Sequence, residues 1–177
     1  MDATKSFVKI YNISPEQAED FEFDFDTVGA TEGTNDILTE LVPDLDQWGD
    51  VGWMEIEEYE YNAPSQTMHL ILETKWEPPI KWLQQASCNT ACFENRLVTM
   101  STIQKDETYV TGVAIMDGEI LQNKTLWQVE PEEVSKYYND DEPDYDLDDL
   151  DNHIWDSIGK FLAVCEQFYL EKEEKND

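Results

Sequence analysis

Asp44-x-Asp46-x-Trp48-Gly49-x-Val51-x-x-x-Glu55 matches positions 1, 3, 6, 8 and 12 of a calcium-binding loop. The fifth position is Trp48, which has no oxygen to offer a cation, and the following residues alternate like a strand instead of forming the loop's second helix. Asp144-x-Asp146-x-Asp148 departs further, with Asp149 where the tight turn needs glycine and Trp155 at the twelfth position. Dense acid of this kind attracts divalent ions weakly, without a defined metal site. Cys88 and Cys92 are four residues apart but have no second cysteine pair, and His69 and His153 are the only histidines. Ordinary thiols fit that pattern better than zinc. His69 falls in a strand pattern and reads as a hydrogen-bonded structural residue, with no sequence context for Cys–His nucleophilic chemistry. Carboxylate pairs abound, yet a catalytic pair needs burial to separate two pKa values, and these acids fall on solvent faces. Neither a Walker loop nor Gly-x-Gly-x-x-Gly occurs. The expectation is therefore no catalytic residue, no metal, no cofactor and no enzymatic activity.

Charge is the exceptional property. The chain carries 41 acids against 11 bases, a net of −30. A charge of about 2–8 in magnitude keeps a small domain soluble, and a larger excess works against compactness by self-repulsion. The distribution is uneven. Between Ile10 and Thr74 there are 17 acids and no Lys or Arg, and from Tyr137 to Gly159 nine more, again without a base. Direct nucleic-acid binding is disfavoured, because a phosphate backbone wants a basic surface. Anionic headgroups would repel the same surface, so no membrane partner is expected. The N-terminus MDATKSFVKIYNI lacks an apolar signal core, no stretch approaches ~18 apolar residues, and three cysteines suit reduced thiols. These features lead to the expectation of a cytoplasmic protein, in which Asn12-Ile13-Ser14 and Asn123-Lys124-Thr125 are chance glycosylation sequons.

The elements that carry these acids can be read from periodicity. Residues 6–13 alternate as a first strand. Ser14, with Pro15 next and Gln17 three residues on, marks the start of a short helix. In Phe21-Glu22-Phe23-Asp24-Phe25-Asp26 aromatic and acidic residues alternate, which at a period of two puts the rings on one side and the carboxylates on the other. Residues 34–42 predict a short helix stopped by Pro43. In Trp53–Tyr61 the parity slips, and a bulge near Glu57-Glu58 would restore one apolar and one acidic face. Residues 66–75 predict a more apolar, central strand. Pro78-Pro79 opens a helix through IKWLQQAS. Strands are expected near 94–104 and 108–116, with Asp117-Gly118 as a hairpin turn into a strand from Glu119 to Val129. Residues 139–151 are nearly pure acid around Pro143. From there Leu147, Leu150, Ile154, Ile158, Phe161, Leu162, Cys165, Phe168 and Tyr169 recur at helical spacing. The fold class is α+β: a ferredoxin-like antiparallel sheet with helices on one face, plus a long C-terminal helix. The expected division is a domain at 1–129, then an acidic segment and helix at 130–177, packed on it or extending from it.

Residue identity points the same way. Leu72-Glu73-Thr74-Lys75-Trp76-Glu77-Pro78-Pro79, followed by Trp82-Leu83 and Ser87, resembles the T-x-W-x-P-P…L…S signature of the YubB-like ferredoxin-fold family, which phages and plasmids carry. Phe23-Asp24-Phe25, Trp48-Gly49, Thr111-Gly112 and Asp117-Gly118 resemble further elements of it. The similarity spans residues 5–121. After Trp48-Gly49 this sequence has Asp50-Val51-Gly52-Trp53, where the family usually has Thr-Lys-Trp, so a basic position is lost. The resemblance implies a fold and a mobile-element origin, not an activity.

Because the acids interleave with Phe, Tyr, Trp and Leu at strand and helix periods, they sit at fixed spacings. Alternate strand residues are roughly 6.7 Å apart, and each strand of a DNA duplex carries one phosphate per ~3.4 Å of axis. The charge pattern thus looks like that of phage DNA-mimic proteins, which occupy a host protein's basic nucleic-acid-binding groove, as in restriction-type defence. The alternative is an acidic adaptor that binds a basic protein patch without mimicry. The expected partner-binding residues are Asp140, Asp141, Glu142, Asp144, Asp146, Asp148, Asp149, Asp151 and Asp156. A second group is Glu22, Asp24 and Asp26 with Glu55, Glu57, Glu58 and Glu60, if the two strands are neighbours.

Overall fold

A computed structural model describes residues 4–20, 38, 41–44, 46, 48–89, 93–104, 109–128 and 147–170. Strand β1 (Thr4–Ile10) alternates strictly, with Thr4, Ser6, Val8 and Ile10 buried and Lys5, Phe7 and Lys9 half-buried. It stops short of the expected residue 13 because Asn12 adopts a left-handed φ of 59°, a conformation asparagine tolerates better than most residues. Helix α1 (15–20) begins with a reciprocal capping box: the Ser14 amide donates to Gln17 Oε1 at 3.0 Å, and the Gln17 amide donates to Ser14 Oγ at 3.3 Å.

Strands β2 (Met54–Asn62) and β3 (Thr67–Thr74) form a hairpin, and α2 (Ile80–Asn89) follows the two prolines. Then come β4 (Val98–Gln104), β5 (Tyr109–Met116) and β6 (Glu119–Gln128). β4 starts at Val98 and not at 94, because 93–96 form a turn with Asn95 at φ 57°. The six strands make one antiparallel sheet in the order β2-β3-β1-β4-β5-β6. The slipped parity of β2 is resolved by a bulge between Ile56 and Glu58. Asp117 (φ 49°) and Gly118 (φ 77°) both take positive φ, as a two-residue hairpin turn requires.

The main core lies on one face. Val8, Ile10, Met54, Ile56, Leu70 and Leu72 from the sheet meet Trp82, Leu83 and Ala86 of α2 and Ala18 of α1. Leu38 and Val42 belong to the same core; of the helix expected at 34–42, only residues 38 and 41 are described as helical.

The long helix α3 (Leu147–Cys165) covers the opposite face over β4, β5 and β6. Its Ile154, Ile158, Phe161 and Cys165 are buried against Val110, Ala114 and Leu126. Gly112 admits this approach, since a Cβ there would stand 2.9 Å from a Leu126 methyl and 3.0 Å from the Phe161 ring. α3 ends in one wider turn, Glu166–Leu170, with i→i+5 spacing. The 3.6-residue stripe drawn through Phe168 does not survive it. Tyr169 and Leu170 pack inward, while Phe168 is 53% exposed, because a wider turn advances each residue by a smaller angle.

Candidate interaction surface on the open half of the sheet

α3 leaves part of its face free. On that face, three rows of side chains run across β2, β3 and β1: Glu55–Glu73–Lys5, Glu58–Ile71–Phe7 and Glu60–His69–Lys9. The bulge decides this arrangement. Without the extra residue, Glu58 and Glu60 would turn toward the core, and Tyr59 and Tyr61 would turn outward. With it, Tyr59 and Tyr61 pack on the main core, and the Tyr61 hydroxyl donates to the Ile13 carbonyl at 2.9 Å. The glutamates stand together on the outside, with rows roughly 6.7 Å apart.

The two lysines of β1 are committed elsewhere. Lys5 Nζ lies 2.8 Å from Glu57 and 3.6 Å from Glu73, which offsets the unfavourable direct pairing of Glu55 with Glu73. The hydrogen bond to Glu57 holds the Lys5 pKa above its ordinary value. Lys9 Nζ lies 2.9 Å from Glu166, which also accepts from the Tyr11 hydroxyl at 3.0 Å. Burial, then the Glu166 charge, pushes the Tyr11 hydroxyl's pKa far up. Glu55, Glu58 and Glu60 are exposed, and no described residue pairs with them. His69 Nε2 is 3.1 Å from Thr67 Oγ1, and burial, followed by the Lys9 charge, lowers the imidazole's pKa. That is the structural, hydrogen-bonded role expected for it.

The other expected residues fall out as follows. Glu22, Asp24 and Asp26 lie outside the described residues, as do Asp140, Asp141, Glu142, Asp144 and Asp146. Asp148 and Asp149 are in the first turn of α3. Asp151 and Asp156 are on its exposed side. Asp156 pairs with Lys160, four residues on, at 2.6 Å just beyond the base-free block. The block ends at Gly159, so counting within it concealed the pair. Trp155, 48% exposed, contacts the Phe7 ring edge-on at 5.0 Å. It thereby stands as a wall beside the rows. Glu73 and Glu166 were not singled out by sequence. The alternation His69-Ile71-Glu73 was visible, but the register that sets Glu73 against Glu55 and Lys5 was not.

Residues of the Thr-x-Trp-x-Pro-Pro…Leu…Ser pattern do structural work. Thr74 Oγ1 donates to the Glu77 carbonyl at 2.8 Å, and Thr4 Oγ1 donates to the Trp76 carbonyl at 3.1 Å. The Trp82 indole is fully buried and donates to the Leu38 carbonyl. Ser87 Oγ accepts from the Gly118 amide at 2.7 Å, tying the β5–β6 turn to α2. Trp48, at position 5 of the calcium-loop match, is buried and donates to the Val42 carbonyl at 2.8 Å, while Glu55 at position 12 is on the outer face of the sheet. Among the described residues no three His, Cys, Asp or Glu side chains gather as a metal set, and no helix is long and apolar enough to cross a membrane. Cys88 is exposed, and burial pushes the Cys165 thiol up to about 11. No family model, curated protein or solved structure matches the chain.

Proposed function

We propose that this protein is an acidic inhibitor that mimics nucleic acid and blocks a host nucleic-acid-binding or restriction-type defence protein from the cytoplasm of the host cell. The observation that carries the reading is the column Glu55, Glu58 and Glu60. The chain interrupts a β-ladder with a bulge and sets in line on a strand three carboxylates that make no ion pair among the described residues. A salt bridge, a cap or a metal would each explain such acids, and none of the three has a described partner. A basic groove shaped for phosphates supplies the missing countercharge, with steering at long range and release of counterions from both surfaces. Within the sheet, the order β4-β1-β3-β2 with antiparallel neighbours supports a ferredoxin-like core and a kinship with the YubB-like family of phages and plasmids. On this reading, β5, β6 and α3 extend that core.

The test starts from a bacterial lysate passed over the immobilised protein and eluted with rising salt. The captured protein is then assayed for binding its own nucleic acid with and without this chain. Mutual displacement, weakening steeply with salt, is the expected result. A ternary complex without displacement would leave an acidic adaptor instead of a mimic. Replacing Asp140, Asp141, Glu142, Asp144 and Asp146 together by their amides should slow association with the captured protein and leave folding intact. An unchanged on-rate and salt slope would remove that segment from the binding surface.

A further inference from the structure

Beside the glutamate column the surface is not simply charged. Ile71 and Phe7 continue the Glu58 row as a half-buried apolar floor, and Trp155 rises at the end of it. Among the described elements, none covers this floor. A cleft of about 200 Å³ lies along it, lined by Phe7, Glu58, Glu60, His69 and Ile71 among others. Pockets that take a small molecule run to roughly 300–1,000 Å³, so this one suits a single long side chain. Six carboxylates surround the three rows (Glu55, Glu57, Glu58, Glu60, Glu73 and Glu166) against the two ammoniums of Lys5 and Lys9, both already paired. Among the described residues, the carboxylates here without an ion pair are Glu55, Glu58 and Glu60, and the floor beside them is aromatic and aliphatic.

We propose that the open half of the sheet is a docking site for an arginine-bearing segment of a protein partner, one guanidinium entering the cleft between Phe7 and the carboxylates of Glu58 and Glu60. Arginine fits because its planar head stacks on an aromatic ring while donating in its own plane to carboxylates, and because it sheds water more readily than an ammonium. Lysine, a compact and strongly hydrated charge, gains less from an aromatic floor. His69, its pKa lowered by burial and then by the Lys9 charge, opposes a cation there less than a free imidazole would. A second copy of this chain does not fit, since its β2 would bring glutamate against glutamate. This rests on the reading of the protein as an acidic inhibitor and adds what charge mimicry lacks, an anchor that excludes water.

The experiment titrates the ¹⁵N-labelled full chain with a blocked peptide of alternating arginine and leucine, and with its lysine counterpart. Expected are amide shifts centred on Phe7, Glu58, His69 and Ile71, intermolecular contacts between arginine methylenes and the Phe7 ring, and about tenfold weaker binding of the lysine peptide. Phe7→Leu should weaken the arginine peptide about tenfold. The exposed double variant Glu58→Gln/Glu60→Gln should do likewise without touching the core, which keeps the test valid if Phe7→Leu loosens α3. Shifts scattered over every acidic stretch, with equal affinity for both peptides, would overturn the docking site and leave the mimic reading standing. Specific docking of the peptide together with failure to displace nucleic acid from a captured protein would do the reverse.

Discussion

The two faces of the sheet over β1–β3 are built from the same three strands and read oppositely. Toward α2, positions such as Val8, Ile10, Leu70 and Leu72 are at most 2% exposed and carry no charge. Toward the other side, the alternate residues are Lys5, Phe7, Lys9, His69, Ile71 and Glu73, none of them fully buried, edged by three glutamates that make no ion pair among the described residues. One face is bound by close packing, where every methylene counts. The other is held together by little and gives up stability through like charges set side by side. The difference separates what folds the chain from what the chain presents.

The largest test of that contrast is Trp82→Ala. The indole fills the α2 face and donates to Leu38, so chemical denaturation should show a loss of about 3–5 kcal/mol. A loss below 1 kcal/mol, on the scale of a surface change, would mean this face does not anchor the fold. Next comes the joint with α3. Gly112→Val should cost about 1–3 kcal/mol by forcing Leu126 and Phe161 away. Gly159 on the exposed side of the same helix has nothing near its missing Cβ. Gly159→Ala should accordingly stabilise by about 0.5–1 kcal/mol. Equal signs for the two glycines would contradict the docking of α3 described above.

The opposite face predicts smaller effects. Glu55→Gln/Glu58→Gln/Glu60→Gln should leave thermal stability unchanged or raise it slightly, within about 0.5 kcal/mol. Clear destabilisation of the triple variant would expose a structural role for the column. The finest probe is His69. Its folded pKa is lowered, so the unfolded chain binds the proton more tightly, and the contribution is present above the unfolded value near 6.5 and lost as pH falls through the folded one. An NMR titration should place the imidazole below 6.5. A higher value would mean that Glu60, not burial and Lys9, governs it.

Much of this was legible along the chain because it depends on near neighbours. The capping box at Ser14 and Gln17, the Asp117-Gly118 turn, the bulge demanded by the parity of β2 and the apolar stripe of α3 up to Cys165 are local patterns of period or turn chemistry. Strand ends at Asn12 and Asn95 were missed because a left-handed residue interrupts an otherwise extended run without changing its hydrophobic pattern. Phe168 was misplaced because a change of helical pitch after Cys165 leaves no mark in composition.

Other features exist only in the assembled sheet. That β1 lies between β3 and β4, so that Lys5 reaches Glu57 and Glu73 while Lys9 goes to Glu166, is a matter of register between segments as far as 157 residues apart. Sequence by itself determined how many carboxylates the protein carries and which side of each strand they take, since a period of two is a property of the backbone. Tertiary structure alone decided which of the described carboxylates meet a countercharge, as Glu57, Glu73 and Glu166 do. Ion pairing acts across a few ångströms of space, and only the folded sheet sets those distances.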